Sequence, residues 1–257
     1  MYKSVYYKVY GDVGSHLYKS EITPENIKEI KSNMEKISQL LSIADYYLMV
    51  IDNCLDFIND CQLNGPGDDK VFVRANRLLL NALNSYYVWQ EYSKHHSFNS
   101  QHRKLINDIK KQGVLELANR IRHASVHHNS PITVSTSDVI NEKVGFYIEI
   151  DKLFDANEHS GFNKRIIDYL STSNKLETVS LIKDLLREFN NYNYEIWKSI
   201  HDDFFIIMDS LMAYVPDHSP DCFNCVIVNE ETGERIDIGR TLELVAIKSE
   251  LIGLDLY

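Results

Sequence analysis

A mainly helical bundle of long antiparallel helices with small β-hairpin attachments is the fold class that this sequence of 257 residues predicts. Three observations carry it. Apolar residues recur at three- and four-residue steps along two very long stretches, the signature of a helix face that must find a partner. Period-two alternation is confined to a few short segments. With 10 Gly and 5 Pro, neither a collagenous nor a loop-dominated chain fits, and 44% hydrophobic with 25% charged residues is the balance of an ordinary globular protein.

Residues 2–10, rich in Tyr and Val, read as a short strand followed by a Gly-containing turn. Thr23-Pro24-Glu25 is a helix start, with Thr as N-cap, Pro at the first helical position and Glu in the first turn. From there Ile27, Ile30, Met34, Ile37, Leu41, Ala44, Leu48, Ile51, Leu55 and Ile58 form a heptad-like seam reaching about Asp60. Asn64-Gly65-Pro66-Gly67-Asp68 breaks that helix. A second helix carries Val71, Ala75, Leu78, Leu79, Ala82, Leu83 and Tyr86 on one broad face and ends in the polar stretch from Ser93 to Ser100. A third is expected over about His102 to Val126, with Leu105, Ile109, Val114, Leu117, Ala118, Ile121 and Ser125 inward and Gly113 as its weak point. Pro131 forbids continuation much past Asn129. Alternation at Val144, Phe146, Ile148 and Ile150 then predicts a hairpin over 132–150 turning at Asn141-Glu142-Lys143, followed by short helical pieces near Lys152–Ala156 and Lys164–Leu170. A long helix over about Leu176 to Ala213 has Val179, Ile182, Leu186, Phe189, Ile196, Ile200 and Ile207 as its seam. A last hairpin over Cys225 to Ile238 turns at Glu231-Thr232-Gly233 and leads into a short helix. These elements are expected to form one domain over 1–257.

The 37 acidic against 27 basic side chains make a net charge of −10, which argues against coating nucleic acid by bulk charge. That average hides a segregation. Between Gln101 and His128, six basic residues (Arg103, Lys104, Lys110, Lys111, Arg120, Arg122) face two acidic ones (Asp108, Glu116), a local balance of +4. Four Cys cannot build a disulfide framework in a chain of this size. No run of about 18 apolar residues suggests a membrane span, and the N-terminal residues lack the apolar core of a signal peptide, so no membrane partner and a reduced, cytoplasmic setting are expected.

The strongest chemical content lies in Asn119-Arg120-Ile121-Arg122-His123-Ala124-Ser125-Val126-His127-His128. On a helix, His123 and His127 are one turn apart on a shared face, and Arg120 joins them there. Arg122 is five residues before His127, about 140° round the axis. Those two meet at one phosphate only if the helix end distorts or if two copies of the chain face each other. The plainer alternative is a solvated basic helix end, its cations complementing the macrodipole.

Arg122-His123-Ala124-Ser125-Val126-His127 resembles the Arg-x(4–6)-His motif of the HEPN superfamily (higher eukaryotes and prokaryotes nucleotide-binding), whose members often place a polar residue right after the Arg, as His123 stands here. The placement agrees: the motif ends a helix that follows a long helix, a Gly/Asp-rich loop and a second helix, and Pro131-Ile132 leads into an extended segment. The stretch Arg77-Leu78-Leu79-Leu80-Asn81-Ala82-Leu83-Asn84-Ser85-Tyr86 is also similar to the second helix of bacterial HEPN-like defence and toxin proteins. The resemblance covers about 24–130, with the helix near 177–213 completing the bundle. It implies a metal-independent endoribonuclease with no cofactor, working as a homodimer with the motifs juxtaposed, in bacterial defence or with an antitoxin or other partner protein. It implies that Arg122 binds the scissile phosphate, that His127 acts as acid or base in the attack of the ribose 2′-OH, and that His123 positions the pair. Arg120, His128 and Lys111 are the expected substrate-binding residues. Arg120, seven residues before His127 with six between them, competes for the role of Arg122, which is preferred because a polar residue follows it. The alternative that the family also contains is a non-catalytic nucleotide-, RNA- or protein-binding module.

Elsewhere, Cys222 and Cys225 with His218 and Asp217 supply too few zinc ligands by themselves, since one CxxC gives two of four; a reduced, structural pair is expected, and no metal site. His201, Asp202 and Asp203 read as a solvated helix face. The 16 Tyr, with the pairs Tyr6-Tyr7, Tyr46-Tyr47 and Tyr86-Tyr87, are expected mostly at helix borders as amphipathic packing.

Overall fold

The computed structural model describes residues 2–7, 16–63, 69–109, 113–128, 134–138, 143–155, 170, 175–215 and 225–252. In chain order the elements are β1 (Tyr2–Tyr7), β2 (His16–Ile22), α1 (Pro24–Leu63), α2 (Asp69–His95), α3 (Ser100–Ile109), α4 (Gly113–His128), β3 (Val134–Asp138), β4 (Lys143–Glu149), α5 (Ile150–Asp155), β5 (Lys175–Glu177), α6 (Thr178–Met212), β6 (Cys225–Asn229), β7 (Arg235–Asp237) and α7 (Ile238–Ile252). The fold is mainly helical with small antiparallel β elements, as the periodicities require. The chain divides into two compact units, one of Met1–Asp45 with Ser199–Tyr257 and one of Tyr46–Lys198, so α1 and α6 each give one part to either unit.

Helix starts follow local chemistry. Thr23 Oγ1 accepts the Asn26 N–H at 3.3 Å to open α1, and Asn99 Oδ1 accepts that of His102 at 2.8 Å to open α3. The Glu177 carboxylate accepts the Val179 and Ser180 amides at the start of α6, and Asp237 that of Arg240 at the start of α7. Each capping oxygen satisfies donors that have no partner inside the helix.

The α1 seam is right in kind and drifts in detail. A strict seven-residue repeat slips by about 20° per heptad on a helix of 3.6 residues per turn. One row of the seam, Ile30, Ile37, Ala44 and Ile58, is buried with Ile51 half-buried, while the other runs from buried Ile27 through half-buried Met34, Leu41 and Leu48 to Leu55 at 44% exposure, and Val50, Cys54 and Phe57 join the buried face.

In the first unit, the sheet order β2-β1-β6-β7 is antiparallel throughout. Tyr2 pairs with Asn229 and Tyr6 with Cys225, so the N-terminal strand is the neighbour of a hairpin more than 200 residues later. That hairpin turns where expected. Gly233 takes φ 72°, open to glycine at little cost, and Asn229 Oδ1 accepts the amides of Glu231 and Thr232. Glu234 ties the hairpin to α1 and β1 by accepting Lys31 Nζ at 2.6 Å and Tyr2 Oη at 2.7 Å. Strand β2 is an element the sequence reading missed: His16-Leu17-Tyr18-Lys19-Ser20-Glu21-Ile22 has no clean alternation, and its pairing with β1 forms it.

In the second unit, α1 and α2 run antiparallel, since Tyr46 stacks near Tyr92 while Arg74 pairs with Asp60. Phe189 of α6 completes the core, edge-on to Trp89 (4.7 Å between centroids) and Tyr86 (5.7 Å) and stacked on Tyr47 (5.2 Å). Tyr46, Tyr47 and Tyr86 thus serve packing, as expected, while the Tyr87 ring lies against a guanidinium; the side chains of Tyr6 and Tyr7 lie outside the described residues. The expected hairpin is present as β3 and β4, its turn lying outside the described residues, and β5 adds a third strand that the sequence did not announce. The helical piece near 152–156 is α5; that near 164–170 lies outside the described residues except for Leu170.

One expectation is corrected. The third helix is two helices, α3 and α4, because Gly113 has φ 31°, a left-handed value that no α-helix interior adopts. The positive balance between Gln101 and His128 therefore does not belong to one helix. Helix α4 itself holds two arginines against one glutamate.

His102 of α3 is fully buried. Its Nδ1 accepts the Phe98 N–H at 3.1 Å, and burial pushes its pKa down to about 4. An unfolded chain takes up this proton near pH 6.5 and the folded one only near 4. Stability is thus complete above about pH 6.5 and falls with pH through that window, by up to about 3 kcal/mol. Urea midpoints at pH 7 and 4.5 check this: His102→Gln should flatten the dependence, and an identical pH response in the variant refutes it.

Candidate active site

The site is built where α4 crosses α2. Two rungs join them: Asn119 Nδ2 donates to Gln90 Oε1 at 3.0 Å, and one turn later Arg122 Nε donates to Asn84 Oδ1 at 3.1 Å. The guanidinium carbon of Arg122 lies 3.9 Å from the centre of the Tyr87 ring. A planar cation over an aromatic face, with one edge hydrogen-bonded, has lost most of its rotational freedom. The terminal N–H groups of Arg122 have no partner among the described residues, so they are donors held in place and able to meet a further acceptor.

Arg120 is engaged differently. Its guanidinium meets the Glu116 carboxylate one turn back at 3.4 Å, which compensates its charge within the helix. Of the two arginines, Arg122 is the one held by the neutral Asn84 and Tyr87, whereas Arg120 is paired with a carboxylate. His123 is exposed on the following position. Ser125 Oγ donates to the Ile121 carbonyl at 2.6 Å and is spent on the helix. The backbone is helical through His128, so positions 122 and 127 stand about 140° apart on the axis with no distortion to bring them together. The side chains of His127 and His128, and all of Lys111, lie outside the described residues.

The sequence assigns no role to Asn84 and only packing at a helix border to Tyr87. Their spacing from Arg122 in the chain says nothing, and only the α2–α4 crossing reveals them; the one local signal was their position on the half-exposed border of α2.

Other groups are accounted for by structure. The Cys225 thiol donates to the Tyr214 carbonyl at 3.6 Å at the start of β6, while Cys222, His218 and Asp217 lie outside the described residues. Burial pushes the Cys54 and Cys61 thiols up to about 12, leaving neither a thiolate at neutral pH. His201, Asp202 and Asp203 are all exposed, with His201 Nδ1 3.0 Å from the Asp202 carboxylate. No group of three or more candidate metal ligands exists among the described residues, and no helix there is long and apolar enough to cross a membrane. No family model, curated protein or solved structure matches this chain.

Proposed function

We propose that the chain is a metal-independent endoribonuclease of HEPN type, acting in bacterial defence or as a toxin, with Arg122 and His127 as its catalytic pair. The observation that carries the reading is the held guanidinium of Arg122, bound edge-on by Asn84 and face-on by Tyr87 within five residues of His127. Such a group is preorganised for the charge that develops on a phosphate, and costs no reorganisation when the reaction occurs.

The chemistry follows from the residue types. The ribose 2′-OH loses its proton to a base and its oxygen attacks the adjacent phosphorus. The P–O5′ bond breaks, the 5′ oxygen takes a proton, and a 2′,3′-cyclic phosphate remains. An imidazole with an ordinary pKa of about 6.5 can serve at either proton near neutral pH. DNA lacks the attacking hydroxyl. Because the helix stays regular to His128, an Arg122 and a His127 converge on one phosphate most simply from two copies, which favours a homodimer. His123 positions the pair, Arg120, His128 and Lys111 bind substrate, and a cytoplasmic setting with an antitoxin or other restraining partner completes the proposal.

Purified protein incubated with RNA in EDTA tests the reading. Cleavage with 2′,3′-cyclic phosphate ends and no cutting of DNA is the expected result. Cleavage that appears only on adding a divalent metal overturns it.

A further inference from the structure

We propose that the outward face of α2 is a track for the backbone of single-stranded RNA, leading to Arg122. The identity of the polyanion rests on the ribonuclease reading; the track itself rests on α2. At 100° per residue, Lys70, Arg74, Arg77, Asn81 and Asn84 fall at 0°, 40°, −20°, 20° and −40°, a single line within about 80° of arc. Lys70, Arg74, Arg77 and Asn81 are exposed, and Asn84 at the end of the line is the residue that holds Arg122. The line is about 21 Å long.

Lys70 and Asp60 each make a further contact, and the charge of Arg74 and Arg77 is only partly compensated. Asp60 of α1, buried at 5% side-chain exposure, takes one Arg74 nitrogen at 2.7 Å, but Arg74 itself stays 58% exposed. Arg77 has no partner among the described residues. Asp69 is the acidic residue at the head of the line, and together with Lys70, Val73, Arg74 and Arg77 it lines an open hollow of about 420 Å³. Lys70, Arg74, Arg77 and then Arg122 are thus four cations in succession, with the Asn81 amide between them able to donate to phosphate or base edges.

A ridge one helix wide matches one phosphodiester chain. A duplex presents two charged strands and needs a broader basic face. The split of α3 from α4 sharpens the point. Because the basic residues of 101–112 do not share a helix with Arg122, the cations that helical geometry aligns with Asn84, its hydrogen-bond partner, are those of α2.

The test uses the full-length chain carrying His127→Ala, so that RNA is retained, with and without Lys70→Gln and Arg77→Gln. Binding of a labelled single-stranded oligoribonucleotide is measured over a range of salt. The double variant should bind about tenfold more weakly, and its plot of log affinity against log salt should be shallower by about 1.4, two phosphate contacts at about 0.7 each. Arg77→Glu alone should weaken binding further than Arg77→Gln, with circular dichroism confirming the fold in each. Unchanged affinity and slope in these variants, or displacement of the RNA by a poly-glutamate peptide at lower concentration than by unlabelled RNA, overturns the track. If the wild-type chain nevertheless cuts RNA in EDTA, the ribonuclease reading survives that failure. Conversely, track-dependent binding with no cleavage by the wild-type chain removes the ribonuclease and leaves the track.

Discussion

Replacing His127 by alanine is expected to lower the rate of RNA cleavage by about 10²–10⁴-fold, the usual worth of a positioned acid or base. Folding should be untouched, because position 127 lies in the last turn of α4, beyond the two rungs that join this helix to α2. The effect should fall on kcat and not on the affinity for RNA, since an imidazole that moves a proton acts in the transition state. Two measurements check it: cleavage of an end-labelled RNA under single-turnover conditions, and growth on induction of the two genes. The wild-type chain should arrest growth and the variant should not. Equal cleavage by both chains removes His127 from the mechanism. Binding with no cleavage by either chain points to the non-catalytic module that the same motif allows.

Arg122→Ala should cost about 10²–10³-fold, the scale seen when one preorganised donor to a developing anion is removed. Arg122→Lys is the sharper experiment. Lysine keeps the charge, but as a point cation it cannot donate to Asn84, lie flat on Tyr87 and present a two-pronged edge to phosphate together. It should recover little of the loss. Asn84→Ala leaves the charge and removes its aim, so it should lower kcat by less than Arg122→Ala while leaving KM nearly unchanged. A lysine variant as active as wild type would show that charge alone suffices, and would remove the role given to Asn84 and Tyr87. The same loss for Arg120→Ala would instead move the phosphate contact to the arginine that Glu116 now holds.

Helix identity was largely legible because a 3.6-residue apolar period declares itself locally. Thr23-Pro24 opens α1, Pro131 follows the end of α4, and Glu231-Thr232-Gly233 turns the last hairpin, all as their chemistry requires. What failed did so for identifiable reasons. Gly113 marks a weak point, yet one glycine inside a helical period does not state whether it bends or ends a helix; its φ of 31° does. The strands β2 and β5 carry too little alternation to be seen alone and exist through their partners β1 and β4. The heptad seam of α1 named the right helix and most of its buried face, Ile58 included, but misplaced Leu55, since a 3.5-residue pattern and a 3.6-residue helix part company over four heptads.

The site divides in the same way. Arg122, His123 and His127 stand within six residues of one another, and a motif that short is readable by eye. Asn84 and Tyr87, which aim the arginine, are 38 and 35 positions away in the chain and enter only when α2 and α4 cross. Sequence alone thus determined the helical class, the places where helices start, and the residue types able to handle a phosphate and a proton, because these depend on spacing and local chemistry. Only the tertiary structure decided that Arg122 is held by Asn84 and Tyr87 while Arg120 pairs with Glu116, and that the N-terminal strand joins a sheet with a hairpin more than 200 residues later. Those are pairings between distant segments, and no local periodicity records which face of one helix will meet which face of another.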